Sequence, residues 1–164
     1  MVNFAGLGFL FRFLPIFFII YFLIPAKYKD TVMLVASLIF YGMGEPLFLP
    51  VLVVATALNY MWGRQVWNLR SGNKIHKWQL KERKKHMALA VVADVLLLVI
   101  FKVLGTFVNQ TLLPLGISFY VFKMISYQVD IMKDEVRKMP GFRETALYFC
   151  MFPQVISGPI MRYD

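Results

Sequence analysis

The sequence predicts an all-α, polytopic membrane protein of about five to six transmembrane or re-entrant helices. Three observations predict it. Of the 164 residues, 59% are hydrophobic and only 16% charged, whereas a soluble domain of this length is nearer half apolar and a quarter charged. The apolar residues fall in long runs, and none shows the strict alternation that a transmembrane β-barrel needs. Backbone in lipid must close its hydrogen bonds within its own segment, so each run reads as a helix. Lastly, the basic residues gather between the runs, as they do beside membrane spans.

Phe9 to Ile24 is the first run, with Arg12 near its start and Pro15 inside; Pro25 closes it and AKYKD follows. Thr31 to Tyr41 is the second and ends in the Gly/Pro-rich turn GMGEP. Leu47 to Trp62 is the third. The fourth, Met87 to Val108, is uninterrupted and about as long as the roughly 20 residues that a crossing requires. The fifth starts near Leu112 and fades at Met132, and the sixth, Thr145 to Met161, is broken by Pro153, Gly158 and Pro159. No internal repeat and no soluble domain is visible, so residues 1–164 read as one membrane domain. The start has no basic n-region or small-residue cleavage site and reads as a retained span.

Eight of the eighteen basic residues lie between Arg64 and Lys85, opposed only by Glu82. That stretch, within 63–86, reads as a cytoplasmic basic loop. Counting spans from it puts the N-terminus and GMGEP outside, and Lys27, Lys29 and KDEVRKMPGFR inside. Every basic cluster then shares one side, which suits a multi-pass protein of the cell membrane whose immediate partner is the lipid bilayer. The net charge of +9 is therefore not a nucleic-acid signal. Cys150, the single cysteine, offers neither an intrachain disulfide nor a metal cluster, and no metal site is expected. His76 and His86 read as solvated loop residues.

The fifth run, LPLGISFYVFKMISYQVDIM, holds more polar groups than lipid tolerates. As a helix it places Lys123, Ser126, Tyr127 and Asp130 on one stripe, extended by Tyr120 and Gly116. Ile117, Val121, Met124 and Ile125 make up the other, lipid-like side. Lys123 lies roughly 13 Å from the end at Met132, near mid-bilayer, where a lysine must face protein or water. The stripe is expected to line an internal cavity; the plainer reading is that Lys123 snorkels and Asp130 marks the interface. The sixth run, with Gln154 and Arg162, reads as a bent or re-entrant element beside the same chamber, or as a kinked span.

LPLGISFYVFKMISYQVDIMKDEV, FRETALYFCMFPQVISGPIMRY and the N-terminal VASLIFYGMGEP together resemble the membrane-bound O-acyltransferase (MBOAT) family. The resemblance is to the bacterial branch that includes the alginate O-acetyltransferase membrane subunit and the teichoic-acid D-alanylation membrane protein, and LNYMWG fits its third helix. It implies an MBOAT helical ring around a funnel, of which this chain would be the N-terminal part. It also implies transfer of an acyl group, often acetyl, to hydroxyls of a cell-surface polysaccharide. The donor would be an acyl-CoA or carrier thioester acting as co-substrate, with no bound cofactor. An intramembrane histidine serves as general base in the family, as a neutral imidazole can near pH 7. Neither histidine here matches that motif, so no catalytic residue is expected in this chain, and the base would lie downstream. Ser118, Tyr120, Lys123, Ser126, Asp130, Gln154 and Arg162 are the chamber candidates. The family commonly carries Gln where Lys123 stands, and the GTFVNQT link is shorter than usual.

Two further readings compete. The chain would be a catalytically inactive, truncated or split-gene fragment, working if at all with a separately encoded remainder or a periplasmic or extracellular acetyltransferase partner. A small transporter or channel is the third, and the absence of an inverted repeat opposes it.

Overall fold

The computed structural model describes residues 14–70, 77–108, 113–114, 116–136 and 138–151. It is all-helical over those residues, in the order α1 (Leu14–Leu23), α2 (Ala26–Gly44), α3 (Leu49–Asn68), α4 (Lys77–Phe107), α5 (Ile117–Met132) and α6 (Phe142–Cys150). Pro25 separates α1 from α2, and Pro50 sits in the first turn of α3, where a missing N–H costs nothing. Gly116 opens α5 at φ 71°, a left-handed conformation that L side chains resist. At α6, the Glu144 carboxylate accepts the Gly141 N–H at 3.0 Å and satisfies a group the helix start leaves unpaired.

The expected 63–86 loop is largely helical. α3 continues to Asn68 and α4 starts at Lys77. Apolar runs show where lipid ends, not where a helix ends, and the Lys, Arg, Glu and Gln of this stretch are good helix formers. His86 is accordingly a half-buried residue of α4 rather than a solvated loop residue, while His76 lies outside the described residues.

Among the described residues, one helix is long and apolar enough to cross a membrane: α4, with 31 residues. Only 11% of its apolar window is buried inside the structure. A soluble core helix would hide that surface; this one presents it, as a lipid-facing span does. The other helices also hold large apolar side chains outward, among them Phe22, Leu23, Ile39, Val54 and Leu58.

The interior is organised around α5. Nine of its sixteen residues are buried, more than in any other helix, and it packs against α3, α4 and α6. Ile117, Val121 and Met124 were expected to face lipid, yet they are as enclosed as the polar stripe. An amphipathic pattern separates polar from apolar sides but does not say which side lipid touches, and here helices cover both. α1 packs on α2, through Phe17 and Phe40.

α3 approaches α5 at Gly63, where an added Cβ would lie 2.6 Å from the Tyr127 ring. Alanine in a helix normally gains about 1 kcal/mol over glycine. Here the gain is expected to reverse: Gly63→Ala should lower the thermal midpoint in detergent by the equivalent of about 1–3 kcal/mol, the usual overpacking cost. A raised midpoint would show that the helices are not in such close contact.

Candidate functional site

Four residues of α4, Arg83, Met87, Ala90 and Asp94, are spaced at four, three and four and so share one face. Arg83, Ala90 and Asp94 are buried. That face turns two charged side chains toward α5 and α3, and each meets a built partner.

Arg83 is 1% exposed. Its Nη2 donates to the carbonyls of Ile131 (3.1 Å) and Met132 (3.3 Å) and to Asp134 Oδ1 (2.8 Å), while Nη1 donates to Asp134 Oδ2 at 3.3 Å. The guanidinium thus caps the carbonyl end of α5, where the helix dipole favours a cation, and forks onto a carboxylate. Asp134 is held at φ 59°, which aspartate tolerates better than most residues. Arg70, just past α3, joins the pair: its Nε lies 3.4 Å from Asp134 Oδ1 and its Nη1 donates to Val136 O. One carboxylate therefore ties the ends of α3, α4 and α5 together.

Deeper in the bundle, Asn59 of α3 donates to Asp94 Oδ1 at 2.7 Å. Gln128 of α5 donates to the Asn59 side-chain oxygen (3.1 Å) and backbone oxygen (2.9 Å). All three residues are at most 3% exposed. Away from water such bonds are strong, and losing one leaves its partner unsatisfied.

Lys123, 2% exposed, donates from Nζ to Tyr148 O at 3.1 Å and lies 5.8 Å from the Tyr148 ring centre. Tyr148 sits in the last turn of α6, so this is a second cation on a helix's carbonyl end. Among the described residues Lys123 is enclosed and does not snorkel; it docks α6 on α5. Beside it, Thr56 Oγ1 and Cys150 Sγ are 3.8 Å apart.

The other expected chamber residues are distributed along α5. Tyr120 is fully buried near Tyr41 of α2. Ser126 donates to Asp130 Oδ2 at 3.3 Å, one turn along. Ser118 lies at the far end, in a shallow cleft of ≈ 160 Å³ with Lys102, Leu113 and Pro114. Gln154 and Arg162 fall outside the described residues. Sequence reasoning missed Asn59, Arg83, Asp94 and Gln128 as a set; the shared α4 face was the available signal. No group of three or more His, Cys, Asp or Glu side chains suited to a metal ion occurs among the described residues.

Apolar side chains outward and a hydrogen-bonded polar interior define an integral membrane protein. The chain is similar to the probable alginate O-acetylase AlgI of Azotobacter vinelandii, with 33% identity over 98% of this chain and 34% of that protein. For the probable alginate O-acetylase AlgI of Pseudomonas fluorescens the figures are 32%, 98% and 31%. The peptidoglycan O-acetyltransferase of Helicobacter pylori is 28% identical over 95% of this chain and 36% of its own length. Over the region it spans, the chain resembles the alginate O-acetylases, a bacterial branch of the membrane-bound O-acyltransferases. It spans about a third of the length of the curated relatives it matches. No family model and no solved structure matches it.

Two predictions follow from these bonds. Asp134→Gly relaxes the backbone at φ 59° but leaves Arg83 buried without its carboxylate, and should cost about 3 kcal/mol of stability. Adding Arg83→Met should recover much of that loss in a double-mutant cycle; additive losses would disprove the pairing. At Lys123, glutamine can still donate to Tyr148 O, whereas glutamate opposes it. Cys150 should therefore stay protected from a membrane-permeant maleimide in Lys123→Gln and label at least about tenfold faster in Lys123→Glu. Equal protection in both would remove Lys123 as the docking group of α6.

Proposed function

We propose that this chain is the N-terminal part of a multi-pass enzyme that transfers an acetyl group to hydroxyls of a cell-surface polysaccharide. The observation that carries this reading is the match of 98% of the chain to alginate O-acetylases, with a peptidoglycan O-acetyltransferase as a further relative. Both relatives' names specify the same bond on different polymers, so the shared chemistry is an acetyl ester on a sugar hydroxyl. In that reaction the acceptor oxygen attacks the acyl carbonyl carbon. The bond from acyl carbon to the leaving group breaks, and the hydroxyl proton passes to a base. With a thioester donor the leaving group is a thiolate, which takes up a proton.

On this reading α5 is a rigid inner post. Its Gln128 is fixed by α3 and its Lys123 by α6, and such pre-organisation is what a reaction site inside a membrane demands of its walls. Lys123 positions the post against α6, Tyr120 packs near Tyr41 of α2, and Ser126 and Asp130 bond to each other along α5. Ser118 and its cleft lie at the end opposite the Arg83–Asp134 clasp, where a polymer hydroxyl could enter. The general base belongs to polypeptide outside this chain, and a C-terminal remainder or a separate acetyltransferase is the expected partner. The Arg83–Asp134 end is cytoplasmic, by the excess of Lys and Arg there.

The complete reading frame, expressed in a strain stripped of its own polysaccharide O-acetylation, should restore base-labile acetate on the isolated polymer. If no polymer of the source strain gains acetate, with the protein shown to be present in the membrane, the chain is an inactive relative.

A further inference from the structure

We propose that the first turns of α4 bind anionic phospholipid headgroups through Lys77, Lys81, Lys84 and Lys85. The four lysines are spaced at four, three and one, which sets them on one side of the helix, and all are exposed. Arg83, the remaining basic side chain of known direction here, points to the opposite side and is taken up by Asp134. The lysine stripe runs straight into the outward apolar face of the same helix, where Val92, Val95, Leu96 and Val99 are between 42% and 55% exposed.

Helix length fixes what this stripe meets. Met87 to Phe107 covers about 30 Å, the thickness of a hydrocarbon core, at about 1.5 Å per residue. Lys84 and Lys85 then sit roughly 3–5 Å beyond the core edge and Lys81 roughly 9 Å beyond, within the headgroup layer. A face that touches acyl chains below touches the headgroups of those same lipids above. Trp78, 60% exposed beside the stripe, has the character of an interfacial anchor. The acidic residue within the stretch, Glu82, is 4.0 Å from Lys85, with both side chains largely exposed, a weak pair that leaves the stripe strongly positive. Charge complementarity selects an anionic headgroup such as phosphatidylglycerol over a zwitterionic one.

The proposal rests on α4 crossing the bilayer and not on acyl transfer, so the two can fail separately. The test uses the complete protein in vesicles, with tryptophan quenching by brominated phosphatidylglycerol compared with brominated phosphatidylcholine. The Trp78-dependent part of the signal is the difference from a Trp78→Phe variant. A lysine near an anionic surface is worth about fivefold in association. The preference for phosphatidylglycerol at Trp78 should therefore be at least about fivefold, vanish when the four lysines are replaced by Gln, persist when they are replaced by Arg, and shrink in high salt. Equal quenching by the two lipids, or a preference that survives the Gln replacements, overturns the proposal. Absence of Trp78 quenching by either lipid overturns it together with the placement of α4.

Discussion

Two buried cations on the carbonyl ends of helices hold this structure together. An arginine or lysine in an apolar interior is costly unless its donors are used, and the last turn of a helix supplies carbonyls with no intrahelical partner. Arg83 takes that position at α5 and Lys123 at α6. Because each cation stands on a different helix from the carbonyls it meets, satisfying the charge also fixes how two helices sit together. Asp134 then neutralises Arg83 and draws in Arg70, so a single carboxylate closes one end of the bundle.

The Asn59–Asp94–Gln128 network does the same work at mid-bundle with neutral donors. Apolar packing alone gives membrane helices little preference for one arrangement, since lipid tails solvate leucine as well as another helix does. Hydrogen bonds between polar side chains from α3, α4 and α5 supply the direction. Small residues let it happen: Gly63 admits the Tyr127 ring, and that ring meets Phe149 of α6 edge-on at 5.3 Å. α5 emerges as the helix on which the others converge, and it carries most of the residues that sequence reasoning assigned to a reaction chamber.

The helices were legible because hydropathy and backbone hydrogen bonding leave no other structure for the apolar runs. The polar stripe of α5 was legible because its residues recur every three to four positions. The partners were not, since contact between Asn59 and Asp94 spans 35 residues and that between Gln128 and Asn59 spans 69, and no local spacing encodes either. Arg83 was hidden among neighbours of its own charge. Only its register with Ala90 and Asp94 sets it apart from Lys81, Lys84 and Lys85, and that register is meaningful only once the helix is known to begin before residue 87. The same omission made a loop of the basic stretch.

An inner post clasped at its C-terminal end by Arg83 and tied at mid-length through Lys123 and Gln128 exchanges its backbone hydrogens last, because opening it requires breaking both cation caps and the mid-bundle network together. Hydrogen–deuterium exchange of the complete protein in detergent, read on peptides covering α5 and α1, measures this directly. The account predicts that Ile117–Met132 is the slowest segment of the chain and Leu14–Leu23 among the fastest. Exchange of α5 as rapid as that of α1 would contradict it.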